Sequence, residues 1–386
     1  MKSLLFGAFT RTLVAKACRC RALSSCNGTS PLKRLVEEAS SFGDAEESEP
    51  ELRWATQPYA RAASQRTSPV VDPRETAVLL FPGQGAQYVG MGKKLLELPS
   101  ARDLYELASS IVGWDVARVC TEGPEEELQR RCQVCVLVTS LAALELARDE
   151  RAGAVQRVRA AAGFSLGEIG ALVFAEALSF EHALRLTELR AAAMEAAAAE
   201  REGGMLTLWL APDARLGEAM WRAREHAAAR GVAQPVCAVA NYLHPGCKVV
   251  AGDAAALRWL ETEGRAWGVR RSARVRVAGA FHTVLMARAA EAVRAGLQHV
   301  AVAEPRVRVV SCVTARTCSG AAGVRRALER LTCSPVRWEQ TLQALYARPR
   351  AAPQPLTLTL GPGGALRSSL RLVNARAWDA SLQIPA

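Results

Sequence analysis

Val158-Arg-Ala-Ala-Ala-Gly163-Phe-Ser165-Leu-Gly167-Glu-Ile-Gly-Ala-Leu-Val-Phe-Ala175 is the stretch on which the fold turns. Its first six residues, Arg159 apart, are small and apolar, and read as a buried strand. Residues 166–175 read as a helix, and Gly163-Phe-Ser165-Leu-Gly167 between them has the form G-x-S-x-G. Glycines on both sides of the serine permit a tight turn and close approach of neighbouring backbone. The Ser165 hydroxyl then stands clear at the carboxyl end of the strand, beside the unpaired N–H groups that open a helix. That context makes Ser165 a candidate nucleophile, the plain alternative being a turn of small packing residues. Strand, sharp turn and helix in this order build a parallel sheet covered by helices.

Working outward, Thr76-Ala-Val-Leu-Leu-Phe81 is a second apolar run, stopped by Pro82-Gly83. Helical patterns cover 93–112, 124–130, 133–148 and 180–200. The texture changes at Gly203. A strand over 205–210, a helix over 213–230, a hairpin of 236–240 with 248–251, a helix over 253–267 and a strand over 270–277 follow. This βαββαβ order is the ferredoxin-like pattern. After His282, strands at 306–311 and 356–360 flank helices at 324–331 and 335–346. The expected fold is therefore α/β, a mostly parallel sheet carrying an inserted ferredoxin-like α+β subdomain. Residues 76–202 and 279–386 form the main domain, 203–278 the insert and 37–75 a linker rich in Ser, Glu, Pro and Gln.

With 386 residues, 50% hydrophobic, 23% charged and a mean hydropathy of +0.03, the composition is globular. It excludes a fully disordered chain, a collagen and a small disulfide-stapled fold. No apolar run approaches the ~18–20 residues of a spanning helix, so membrane insertion is not expected. The net charge of +11 is concentrated at the start: residues 1–36 hold seven Lys and Arg before the first acid, Glu37, leaving +4 for the other 350. The remainder is too weakly basic to suggest nucleic-acid binding. An acid-free, Arg-containing beginning with interspersed Leu and Phe reads as a transit peptide over 1–36, directing the chain to the mitochondrial matrix. A basic tail is the alternative.

Eleven cysteines without a repeated pair fit a reducing compartment. Cys132-Gln-Val-Cys135 reads as buried thiols, since no second pair or histidine cluster completes a metal set. On the last strand of the insert, Arg270, Arg274 and Arg276 share one face, either solvated or turned to an acidic partner.

Serine needs a base, and five histidines are available. His282 follows Val277-Ala-Gly-Ala-Phe281, where the insert returns to the main sheet. It is the candidate, against the alternative of a satisfied core histidine. No acid stands in a clear strand-end position between Ser165 and His282, so a backbone carbonyl is expected to orient the ring. The rigid loop Phe81-Pro-Gly-Gln84-Gly-Ala-Gln87 is suited to presenting a second oxyanion donor. Arg190, inside a helix, is unremarkable by spacing alone.

Phe81-Pro-Gly-Gln84-Gly-Ala-Gln87, Gly163-Phe-Ser-Leu-Gly-Glu168, Arg190 with Met194, Gly279-Ala-Phe-His282 and Ser334-Pro-Val-Arg-Trp338 together resemble the malonyl-CoA:acyl carrier protein transacylases, in order, from about Val78 to about Trp378. The resemblance implies a hydrolase-like core and a Ser165–His282 dyad. It implies backbone oxyanion donors at Gln84 and Leu166, and Arg190 gripping the malonyl carboxylate. Gln133, Asn241 and Met194 match residues lining the same cleft. Malonyl-CoA and acyl carrier protein are the implied partners, with no metal or cofactor. The Gly-Ala-Phe-His form matches members preferring malonyl over methylmalonyl. Phe164 departs from the family's frequent histidine, and counting back from Trp338 places the orienting carbonyl on Leu331. A serine thioesterase or esterase, and a non-catalytic scaffold for carrier domains, are the competing readings.

Overall fold

Apolar runs with no polar face become inner strands of a parallel sheet, because helices must cover both sides. The computed structural model describes residues 72–349 and 351–386. The expected leader and all but the last four residues of the expected linker lie outside them. Of those four, Pro73–Glu75 forms a short 3₁₀ turn.

In chain order, β1 (Ala77–Phe81) leads to α1 (Pro99–Val112), α2 (Val116–Thr121), α3 (Glu125–Glu150) and α4 (Ala152–Gln156). Then come β2 (Val158–Gly163), α5 (Gly167–Phe174) and α6 (Phe180–Ala199). The next six elements are β3 (Gly203–Leu210), α7 (Leu216–Ala229), β4 (Cys237–His244), β5 (Cys247–Asp253), α8 (Ala254–Glu263) and β6 (Val269–Arg274). The chain finishes with α9 (Ala287–Leu297), β7 (Arg308–Val309), α10 (Gly320–Arg330), α11 (Trp338–Tyr346), β8 (Leu356–Leu360), α12 (Ala365–Val373), α13 (Ala375–Asp379) and β9 (Ser381–Ile384).

Five strands make one sheet in the order β7-β2-β1-β8-β9, with every pairing parallel. All five residues of β1, its middle strand, are buried. The other sheet is antiparallel, ordered β4-β5-β3-β6. That is the strand order of a ferredoxin-like unit, with β3 and β5 inside and the two α-connections on one face.

Alternation along β3 decides what each face touches. Leu206 and Leu208 pack with Ala219, Ala223, Leu257 and Leu260 beneath α7 and α8. Met205 points the other way, into a cluster with Met194 and Ala197 of α6 and with Phe281 and Met286. The second sheet is thus held against α6, the helix that carries Arg190. A backbone bridge adds to this: Tyr242 N–H donates to the Val336 carbonyl at 2.8 Å, and Val336 N–H to Ala240 at 2.8 Å.

Several expected elements have different limits. The helices expected at 124–130 and 133–148 are one helix, α3, since no glycine or proline interrupts it. The helix expected from 93 starts at Pro99, because Leu98 before the proline is extended, at ψ 122°. The last strand of the insert stops at Arg274. A bond from Val277 N–H to the Val275 carbonyl then turns the chain out of the sheet toward His282. Among the described residues no helix is long and apolar enough to cross a membrane.

Candidate active site

Ser165 sits at φ 51°, in the left-handed region, between the end of β2 and the start of α5. The turn needs its glycines. A Cβ on Gly163 would lie 1.8 Å from the Gly167 carbonyl carbon, and one on Gly167 would lie 2.2 Å from the Phe81 oxygen. Phe164 N–H donates to that same Phe81 oxygen at 3.0 Å, so the end of β1 pins the turn. The N–H groups of Leu166 and Gln84 donate to no atom among the described residues. Leu166 is fully buried. Unpaired backbone N–H groups, one next to Ser165 in sequence and one on the loop that follows β1, are the kind of donor that stabilises a developing oxyanion.

His282 also has a positive φ, 63°. Its N–H donates to the Thr332 carbonyl at 3.0 Å, and its Nε2 lies 2.9 Å from Ser165 Oγ. Ser165 and His282 are 117 residues apart in sequence and each only 6% exposed. Burial first, and then the positive charge of Arg190, pull the imidazole down to about 3; the backbone of Ser334 and Leu331 pulls it up. Nδ1 makes no hydrogen bond of full geometry, though Leu331, where the orienting carbonyl was expected, lies against the ring.

Arg190 completes the group. It is 2% exposed on α6, donates from Nη2 to Ser165 Oγ at 2.9 Å and from Nη1 to Gln133 Oε1 at 2.5 Å. Its Nε has no partner and no described carboxylate pairs with it. Burial lowers the guanidinium to about 10, still charged at neutral pH. A buried cation without an acid is costly unless an anion joins it. Gln133 turns its amide nitrogen to Gln84 Oε1 at 3.4 Å and to Met194 Sδ at 3.8 Å. Six expected residues therefore form one bonded set: Ser165, His282, Arg190, Gln133, Gln84 and Met194. Asn241 is buried on β4 with an unpartnered Oδ1, and no hydrogen bond joins it to the set.

Nothing in the sequence beyond its spacing from Ser165 marks Glu168. The spacing Ser165-x-x-Glu168 looks like a capping box, but the carboxylate reaches across to accept the Cys312 N–H at 2.6 Å. It is fully buried, which pushes its pKa up. Phe164, replacing the family's histidine, stands edge-on to Trp338 with ring centroids 5.6 Å apart. Cys132 and Cys135 are free buried thiols, Cys132 raised by burial to about 11.

A cleft of about 440 Å³ opens onto this group, lined by Gln84, Cys132, Gln133, Met194, Arg276 and Phe281. On the other side of Gln84 an apolar groove of about 350 Å³ runs past Phe164, Trp209, Leu243 and Trp338. Of the arginines expected on the basic face, Arg276 reaches the cleft, whereas Arg274 is paired with Glu261 through two contacts.

Residues 78–356 match the family model for the acyl transferase domain. The chain is 43% identical over 356 residues to a Drosophila melanogaster protein, covering 92% of this chain and 93% of that one. That relative is named a probable malonyl-CoA-acyl carrier protein transacylase, mitochondrial. The mitochondrial malonyl-CoA-acyl carrier protein transacylase of Homo sapiens is 39% identical over 337 residues, with 87% and 84% covered. The solved malonyl-CoA:acyl carrier protein transacylase of Xanthomonas oryzae matches with a TM-score of 0.72 and 31% identity, over 80% of this chain and 94% of its own.

Proposed function

The chain belongs to the acyl transferase domain family, among its malonyl-CoA-acyl carrier protein transacylases, and on that premise we propose the roles its side chains play in moving malonyl from CoA to acyl carrier protein. His282 Nε2 takes the proton of Ser165 as Oγ forms a bond to the thioester carbonyl carbon of malonyl-CoA. Leu166 and Gln84 N–H groups receive the oxyanion, each contributing roughly 3–4 kcal/mol. The C–S bond breaks, the CoA sulfur takes the proton from His282, and a malonyl ester remains on Ser165. The phosphopantetheine thiol of the carrier then attacks the ester, and the same proton transfers run in reverse. Arg190 pairs with the free carboxylate through its two Nη groups. Gln133 holds the guanidinium in place, and Met194 and Asn241 line the acyl site.

One observation carries this assignment: the unbroken line from His282 Nε2 through Ser165 Oγ to a buried guanidinium that has no acid of its own. Incubation with malonyl-CoA should add one malonyl group to Ser165, read by intact mass. Persistence of the adduct in Ser165→Ala would overturn the nucleophile.

Base, oxyanion donors and carboxylate anchor are all supplied by the chain, so we assign no metal or cofactor to the reaction, malonyl-CoA being a substrate. Dialysis against a chelator should leave the transfer rate unchanged; loss restored by a metal ion would contradict this. The Drosophila melanogaster and Homo sapiens relatives are mitochondrial by name, and the chain is assigned to the mitochondrion. The matrix is our finer placement, supported by the acid-free residues 1–36. Import into isolated mitochondria with protection from added protease after outer-membrane rupture tests it.

A further inference from the structure

Arg190 does more than wait for an anion. Its Nη2 donates to the very oxygen that must attack, at 2.9 Å, while Nη1 donates to Gln133 Oε1 at 2.5 Å. With Nε2 of the neutral ring unprotonated, the proton of Ser165 goes to His282, 2.9 Å away, and one lone pair of Oγ is engaged by the guanidinium. A carboxylate drawn to the guanidinium competes with Ser165 Oγ and Gln133 Oε1 for the Nη groups and offsets the positive charge that strengthens both bonds. Gripping the diacid therefore weakens the grip on the serine. We propose that Arg190 restrains Ser165 and that the substrate's own carboxylate lifts the restraint, so that a diacid releases the nucleophile that attacks it.

The proposal rests on the transferase reading and deepens it. Carboxylate pairing also neutralises the charge that, after burial, holds His282 low, so the base strengthens at the same moment. Acyl groups lacking a carboxylate, such as acetyl, leave the serine held. Discrimination then appears in the acylation rate as well as in binding. A guanidinium acting as an anchor alone would not influence reagents that carry no charge.

Methanesulfonyl fluoride, small and neutral, tests the restraint. It sulfonylates Ser165 as the S–F bond breaks and fluoride leaves, the serine proton passing to His282. The reaction is followed by intact mass, with Ser165→Ala as the blank. Formate offers a carboxylate to Arg190 and is too short to reach the thioester position. Added to the wild-type protein in low-salt buffer, it should accelerate sulfonylation saturably by about 3- to 10-fold, the effect of one released hydrogen bond. Arg190→Met keeps the length and removes the donors; when folded, with its thermal midpoint near wild type, it should react faster by a similar factor and ignore formate. Sulfonylation that formate leaves unchanged or slows, or a folded Arg190→Met no faster than wild type, overturns the restraint. Malonylation by malonyl-CoA, measured in parallel, reports the transferase reading separately: a missing malonyl adduct with formate acceleration intact would sink that reading and spare the restraint.

Discussion

At the scale of single residues, the site is aimed by backbone that side chains ordinarily avoid. Ser165 and His282 both occupy left-handed φ, which costs an L-residue roughly 1–2 kcal/mol. Ser165→Gly relieves that cost and Ser165→Ala keeps it, while both lose the same two hydrogen bonds. The glycine variant should be the more stable by about 1 kcal/mol in denaturant midpoints, both being inactive; an alanine variant of equal or greater stability would show that the turn is unstrained. The imidazole sets the pH response. A base pulled down to about 3 stays neutral well into acid, so kcat/KM should remain flat from pH 8 to 5, whereas an ordinary imidazole at 6.5 would be only about 3% neutral at pH 5. An acidic limb centred near 6.5 would refute this. Stability moves in the same direction. Below 6.5 the unfolded chain takes up a proton that buried His282 refuses, so stability is full above 6.5 and falls as pH drops toward 3. Glycines around a serine made the nucleophile legible, because that turn admits few residue types. Arg190 was legible only by resemblance, since a helical arginine looks the same whether it faces water or Ser165.

At the scale of elements, the apolar contact of the second sheet with α6 is supplemented by a polar, long-range one. Lys248 on β5 donates to Glu339 on α11 at 2.7 Å and to the His244 carbonyl at 3.0 Å, and Glu339 is fully buried. Removing one member strands the other. Lys248→Met should cost about 3–5 kcal/mol in thermal or chemical unfolding, and Lys248→Met with Glu339→Leu should recover most of it. A double variant no better than the single would mean the pair is not the source of the loss. Element limits were legible where local chemistry ends an element. β2 has the bounds expected for it because Gly163 closes it, and β8 because Gly361 follows. They were not legible where an end is set by distant contacts. Ser381–Ile384 is too short and too mixed to announce a strand, and becomes one by pairing with β8. Trp338 opens its helix three residues later than the pattern suggests, because Val336 is bonded to β4.

At the scale of the whole molecule, the end of the inserted βαββαβ unit lines a cleft together with Gln84 and Gln133, and the order of elements along the sequence was enough to anticipate the parallel sheet and the separate antiparallel one. Which charges face the cleft was not, because period-2 alternation fixes the side of a strand and not the neighbours waiting there. Arg270, Arg274 and Arg276 share a face by alternation, yet Arg274 is neutralised by Glu261 and Arg271, opposite, stacks on Trp209 with 4.6 Å to the ring centroid. Arg276 lies at the cleft and makes no ion pair with any described residue. An acidic carrier protein steered to this mouth should feel Arg276 far more than Arg274. Arg276→Glu should raise the KM for the carrier severalfold, leave the rate of Ser165 malonylation nearly unchanged and flatten the dependence on salt. Arg274→Glu should change the carrier KM by less, since reversing it mainly breaks an existing pair with Glu261. Equal effects from the two reversals would mean that the carrier approaches over the outer edge of β6. No effect from either would move the docking surface off this strand altogether, to the apolar groove on the far side of Gln84.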